Sequence, residues 1–200
     1  MNLKYFLNQV GTLILIFFCF ENLAPCLAAP TTGQPLVTHS IYQSKSAWTT
    51  QDGKATRLES LRGRPTVAAM IYTSCQGSCP MMMADLKAIE RGLSVDERKR
   101  VQFAVFAFDA KKDLPNRLKL FAEQHGVDLN YWSFFHGSSS SVRELAALLG
   151  VKVKQLEDGT FDHSNVISVL DAEGVIVRQQ IGLGQKPEES VQCLHQLLTP

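Results

Sequence analysis

The sequence contains no long apolar run, no run of like charge, no internal repeat and no low-complexity tract. Each absence removes a class of protein. The most apolar block, residues 10–20, is eleven residues long, well short of the ~20 that a helix needs to cross a bilayer. Basic and acidic residues stand at 20 against 19, a net charge of +1. A chain so balanced offers no electrostatic footprint to nucleic acid or to an anionic membrane surface. Cysteine is scarce, with five in 200 residues. Cys75 and Cys79 stand four apart, and no second Cys-x2–4-Cys pair or His-x3–5-His pair exists to complete a tetrahedral zinc site.

What is present begins with a leader. Lys4 precedes the apolar block, and Leu27, Ala28 and Ala29 follow it. That order is the n-region, h-region and cleavage site of a secretory signal over residues 1–28, with cleavage expected after Ala28. Retained, the same segment would be an N-terminal membrane anchor. Its single Lys and lack of Arg argue against an organellar transit peptide. The expected location is therefore bacterial and exported, either periplasmic or anchored in the inner membrane and facing the periplasm. Roughly 170 residues remain, enough for one domain with a full core. Cys19 and Cys26 fall within the leader, so Cys75, Cys79 and an odd Cys193 are left in an oxidising compartment. Cys193 lies in an amphipathic pattern over 191–198 and reads as a buried, inert thiol.

Residues 29–46 have no clear period and include Gly33 and Pro35, so they read as a tether, with the folded domain over 47–200. Residues 47–50 and 55–58 flank Asp52-Gly53, a hairpin signal. Residues 66–72 form an apolar run of buried-strand length. A helix is expected from Pro80 to Arg91, with Pro80 in its first turn and Gly92 as its C-terminal cap. Ser94 and Glu97 make a capping box. Residues 101–108 are apolar at all but one position and predict a strand buried on both faces. Asp113 is read as the cap of a helix over 114–125, closed by Gly126. A strand over 132–136 and a helix from Ser140 or Ser141 to Leu149 follow. Strand signals then come at 151–155, 166–170 and 175–181, with turns at Asp158-Gly159 and 171–174, and a final helix at 188–198. Strand and helix alternate first, then a hairpin and a helix close the chain. This predicts an α/β sandwich with a mixed central sheet flanked by helices. A Cys pair at the end of a strand, opening a helix, is the thioredoxin-like placement, here with three residues between the sulfurs instead of two.

The chemistry concentrates in 67–83, VAAMIYTSCQGSCPMMM. Cysteines four apart at a strand-to-helix turn bring both sulfurs to one side, and the helix N-terminus favours the thiolate, which attacks disulfides and binds metals. A structural disulfide clipping the turn is the plain alternative. Met81, Met82 and Met83 could offer thioether donors, but at helical spacing at least one should face the core. Of the histidines, His39 sits in the tether, His125 and His195 near helix C-termini where a cation is favoured anyway, and His136 before a plain loop. His163, in FDHSNVISVLD, precedes a late strand. In a thioredoxin-like fold that segment packs beside the Cys-bearing turn, and an ordinary loop histidine is the competing reading.

Taken together, Tyr72-Thr73, Cys75, Cys79-Pro80, Asp162-His163-Ser164, and Asp171 with Gly174 resemble the signature of the Sco/SenC family. Its pattern is a strand, Tyr-Thr, CxxxCP, and much later Asp-His-Ser/Thr leading into a strand that ends in Asp and Gly. The resemblance covers about 47–198. It implies that Cys75, Cys79 and His163 bind one copper ion, with Asp162 orienting His163 from behind. Two thiolates suit Cu(I), and an added imidazole lets the site hold Cu(II). The implied function is a copper chaperone that delivers the metal to the dinuclear copper centre of cytochrome c oxidase. Implied partners are the oxidase's copper-site subunit or another copper protein, a thioredoxin-like reductant, and the membrane through the N-terminus. The alternative is a thiol–disulfide oxidoreductase in which Cys75 attacks and Cys79 resolves. The chain departs from the family in holding Ser74, Gln76 and Gly77 where many members have His, Pro and an acidic residue. It also lacks the Pro of the family's Asp-Pro-x-x-Asp at Asp109 to Asp113. Neither departure touches an implied ligand, but both leave the partner open.

Overall fold

The structure is a computed structural model that describes residues 39–75 and 77–199. The expected leader and most of the expected tether lie outside the described residues. After a 3-10 turn at Ile41–Gln43 come β1 (Ala47–Thr50), β2 (Ala55–Arg57), a second 3-10 turn at Leu58–Leu61, and β3 (Thr66–Ile71). Then follow α1 (Ser78–Arg91), α2 (Val95–Arg100), β4 (Gln102–Ala107), α3 (Pro115–His125), β5 (Trp132–Gly137) and α4 (Ser139–Leu148). The chain closes with β6 (Val153–Gln155), β7 (Phe161–His163), β8 (Val166–Leu170), β9 (Ile176–Ile181) and α5 (Glu188–Leu198).

Seven strands form one sheet in the order β2-β1-β5-β4-β3-β8-β9, and β6 and β7 form a separate two-stranded ribbon. The centre is parallel, β5-β4-β3, and its flanks are antiparallel. Every residue of β3, β4 and β8 is buried, which is why these stretches read as continuous apolar runs: a strand covered on both faces has no polar side to alternate with. Helices α1 and α5 pack on each other, α1 against β3 and α5 against β8 and β9, while α3 and α4 pack on β5. The mixed sheet flanked by helices is the architecture expected from the order of elements.

Local signals hold at several ends. Ser94 accepts from the Glu97 N–H while the Glu97 carboxylate accepts from the Ser94 N–H, the reciprocal capping box. Gly126 ends α3 in the left-handed region, φ +58. Gly92 caps α1 without that conformation, φ −70. It is there because a Cβ would come within 2.5 Å of the Val191 side chain on α5.

Three expectations are corrected. Asp113 does not cap a helix: Pro115 takes the first helical position, which makes Leu114 the N-cap, with no side-chain bond. The end of the supposed tether belongs to the core, since Ile41 and Tyr42 are fully buried. Ser40 donates to the Glu173 carbonyl and the Ile41 N–H donates to the Gly174 carbonyl at 3.0 Å. Cys193 is buried as expected but is disulfide-bonded, not a free thiol.

The hook at Ser40 to Tyr42 depends on Gly174. Its φ is +83, and a Cβ there would lie 2.5 Å from the Tyr42 ring. Gly174→Ala combines left-handed strain with an overpacked ring, so it is expected to lower stability by about 3 kcal/mol. Denaturant unfolding of the full chain measures this, and a loss under about 1 kcal/mol would show that the hook carries little.

Candidate metal centre

Strand β3 leads into the turn that carries the cysteines, and the histidine is the last residue of β7, three residues before β8 begins. Strand β8 runs antiparallel to β3 with Ala69 opposite Ile167. The C-terminal end of β3 and the N-terminal end of β8 thus lie at the same end of the sheet, the one shortly before Cys75 and the other shortly after His163. Residues that are distant in sequence therefore meet at one end of the sheet.

Helix α1 starts two residues earlier than expected, at Ser78, so Cys79 and Pro80 both lie in its first turn. The Cys79 N–H points back at Cys75 Sγ, 3.4 Å away. Cys79 is buried, 1% exposed, whereas Cys75 is half-buried. One donor atom from each of Cys75, Cys79 and His163 lies within 4.8 Å of the others, a spread that a single ion can bridge. Among the described residues no other His, Cys, Asp or Glu trio does so.

The hydrogen bonds orient His163. Its Nδ1 faces the Ser164 carbonyl at 3.3 Å, which can only accept, so the proton is assigned to Nδ1. Nε2 is left with its lone pair turned towards Ser78 Oγ, 3.2 Å away. Ser78 Oγ also lies 3.6 Å from Cys75 Sγ. Behind the imidazole stand three aromatic rings: Phe108, with centroids 4.8 Å apart, Tyr72 edge-on at 6.0 Å, and Phe161 packed on both of them.

The two sulfurs are electrostatically unlike. Burial pushes the Cys75 thiol up, but the Cys79 N–H, the Ser78 hydroxyl and further donors outweigh it, and its pKa falls to about 6. Burial pushes Cys79 far up, reinforced by its neighbour Cys75 and by the Asp113 carboxylate. At neutral pH the pair holds one half-buried thiolate and one buried thiol.

The remaining expected residues separate. Asp162 is exposed on the short strand β7, and the nitrogen it was expected to hold is bonded to a backbone carbonyl instead. Met82 and Met83 are buried, while Met81 is 51% exposed. His125 packs on Phe121, His136 bonds the Asp113 carbonyl, His195 pairs with Glu97, and His39 is exposed.

Sequence reasoning missed Ser78, Phe108 and Phe161, and it misplaced Asp113. The Asp113 carboxylate is fully buried. It accepts from the Thr73 N–H at 3.2 Å and from the Thr73 hydroxyl at 2.5 Å, so it pins the turn that carries Cys75. Burial raises its pKa despite these bonds. Pro115 was the available signal: a proline at the first helical position moves the cap to residue 114 and frees the carboxylate before it.

The SCO1/SenC family model matches residues 38–199. A SCO1 protein homolog of Bacillus subtilis (strain 168) is 31% identical over 144 residues, which is 70% of this chain and 74% of that protein. Bradyrhizobium japonicum ScoI, solved with copper bound, is 25% identical with TM-score 0.66 over 76% of this chain and 97% of its own. A SCO1/SenC family lipoprotein from Bacillus anthracis is 26% identical with TM-score 0.70, covering 76% and 92%. BsSco, described as a member of the Sco family of cytochrome c oxidase assembly proteins with a disulfide switch, is 27% identical with TM-score 0.66, covering 76% and 90%. The fold is thus the thioredoxin-like fold of Sco proteins.

The unlike sulfurs give a direct test. Alkylation of the reduced chain, followed residue by residue by mass spectrometry, should modify Cys75 with a rate midpoint near pH 6 and leave Cys79 protected. A Cys75 midpoint near the ordinary thiol value of about 8.5 would show that the turn does not stabilise its thiolate.

Proposed function

This chain belongs to the SCO1/SenC family, and on that premise we propose that it is an exported copper chaperone. It holds one copper ion between Cys75, Cys79 and His163 and passes it to the copper-site subunit of cytochrome c oxidase or to another copper protein. The observation that carries this reading is the convergence of two sulfurs and one imidazole nitrogen within 4.8 Å. Copper-bound ScoI is its precedent among relatives. Thiolates select soft Cu(I), and the imidazole extends the site to Cu(II), which also outcompetes zinc for such donors. The proposal keeps residues 1–28 as a signal or anchor that delivers the domain to the exported side. The lipoprotein relative supports membrane attachment. Among the described residues no helix is long and apolar enough to cross a membrane.

Oxidation gates the site. Exchange with a partner's disulfide, which takes up both electrons, joins Cys75 to Cys79, and sulfurs bonded to each other no longer serve as thiolate ligands. The disulfide switch described for BsSco supports this behaviour.

The unequal sulfurs favour a second activity on the same atoms. The Cys75 thiolate attacks a partner's disulfide and forms a mixed disulfide. The Cys79 thiol then loses its proton and attacks Cys75 Sγ, releasing the partner's second thiolate. The partner gains two electrons, this chain becomes the Cys75–Cys79 disulfide, and a thioredoxin-like reductant must restore it.

An anaerobic copper titration of the reduced full chain, beside His163→Ala, tests the metal reading. A competing chelator sets the affinity scale, and sulfur-to-Cu(II) charge transfer reports the site. One tightly held copper per chain, with Cu(II) binding weakened about 100-fold or more in the variant, is expected. Weak binding in both proteins, or no difference between them, would move the assignment to the oxidoreductase.

A further inference from the structure

We propose that Ser78 is a fourth, oxygen donor of the copper site and sets its preference for Cu(II) relative to Cu(I). The proposal rests on the three-donor reading above. The Ser78 hydroxyl touches two of the implied ligands: its oxygen lies 3.6 Å from Cys75 Sγ and 3.2 Å from His163 Nε2. With bonds of ~2.3 Å to sulfur, ~2.0 Å to imidazole nitrogen and ~2.1 Å to oxygen, donors that share one ion stand about 3.1–3.6 Å apart for S···O and about 2.9–3.3 Å apart for N···O, from square to tetrahedral angles. The observed separations fall in both ranges. The oxygen is therefore placed to share an ion with Cys75 and His163.

The backbone fixes this arrangement. Ser78 is the first residue of α1, between the two cysteines, and the Cys79 N–H bond to Cys75 Sγ ties the turn on its other side. In the ion-free geometry the hydroxyl, with its single proton, stands within reach of two acceptors, Cys75 Sγ and the Nε2 lone pair. With an ion between the donors, the Nε2 and Oγ lone pairs would both be directed at it, and the hydroxyl would keep its own proton.

The chemistry makes the effect selective. Two thiolates already satisfy soft Cu(I), to which a neutral hydroxyl adds little. Cu(II) favours tetragonal sites with nitrogen and oxygen donors, so it gains from a fourth vertex. Ser78 thus acts on one oxidation state of the cargo. It tunes how tightly Cu(II) is held, and so which form is kept and which is released.

The test compares reduced full-chain wild type, Ser78→Ala, Ser78→Thr and His163→Ala. The readouts are Cu(I) and Cu(II) affinities by chelator competition and the parallel copper hyperfine splitting by EPR. Ser78→Ala should lose about tenfold or more in Cu(II) affinity and change the hyperfine splitting, with Cu(I) affinity held within about threefold, while Ser78→Thr keeps both near wild type. Retained Cu(I) binding also reports an intact turn. A Ser78→Ala protein with unchanged Cu(II) affinity and EPR overturns the proposal. So does a parallel shift for both oxidation states, which would place the hydroxyl's effect on His163 or the helix start instead of on the ion. If His163→Ala also leaves Cu(II) unaffected, the three-donor reading itself fails. If His163→Ala releases Cu(II) and Ser78→Ala is silent, only the Ser78 assignment falls.

Discussion

The antiparallel pairing of β3 with β8 is what the site stands on. Ser78 and His163 are 85 residues apart, and nothing local brings them together. The ladder from Thr66–Leu170 to Ala69–Ile167 aims both strand ends at one place. A slip of one residue would turn every side chain of β8 to its other face and move the chain at His163 by ~3.3 Å, about the spacing between donors. Burial of every residue of β8 gives it no alternative polar register, but the ladder must also be held from its far end. There Asp171 accepts from the Glu173 and Val175 N–H groups, Glu173 pairs with Arg62, and Tyr42 lies against Gly174. The N-terminal hook is remote from the donors, yet it bears on the strand whose register positions one of them.

A second constraint acts on the other side of the site. The segment between β3 and α1 is short, has no regular ladder and must present a thiolate. Asp113 supplies its anchor by taking up both Thr73 donors, and Arg117 donates to the same hydroxyl at 2.6 Å. The anchor has an electrostatic cost. A buried carboxylate near Cys79 opposes ionisation of that sulfur, and it is among the causes that hold the Cys79 thiol high. The aromatic rings of Tyr72, Phe108 and Phe161 act in the same direction by excluding water around His163. Burial and the neighbouring Cys75 raise the Tyr72 phenol to about 12, so it stays neutral beside the thiolate. The pocket concentrates negative charge on one atom, Cys75 Sγ.

Much of this was legible in the chain because the physical signals are local. Apolar runs marked the buried strands β3, β4 and β8, the Ser94/Glu97 pair marked the start of α2, and Cys-x3-Cys-Pro marked a strand-to-helix turn. His163 stood out from the other histidines by its place before a late strand. What escaped was set by tertiary contacts with no sequence period. Asp113 has the composition of a cap, and only its bond across to Thr73 shows otherwise. Asp162 was expected, from the family resemblance, to orient His163, whereas the partner of Nδ1 is the neighbouring backbone carbonyl of Ser164. Phe108 and Phe161 read as core or loop aromatics, and only the fold brings Phe108 against the His163 imidazole and Phe161 against Phe108. Residues 40–44 looked like linker because hooking depends on Gly174, more than a hundred positions away.

The inequality of the two sulfurs follows from where the helix starts. Cys75 precedes α1 and collects the N–H of Cys79 and the Ser78 hydroxyl; Cys79, one turn on, is carried into the core and loses water. A site built this way binds metal asymmetrically. At neutral pH Cys75 is already a thiolate with its pKa near 6, so an incoming ion needs no proton from it, whereas Cys79 must release one. The buried bond is then the one that water cannot reach, and the exposed bond is the one that a partner's thiolate can approach. The same geometry orders a disulfide exchange, with attack from Cys75 and resolution from Cys79. Under the proposed function, metal transfer and electron transfer are therefore alternative uses of one asymmetry, and the occupant of the site would decide which is open. Copper bound to both sulfurs would remove the free thiolate, and a disulfide would remove the ligands.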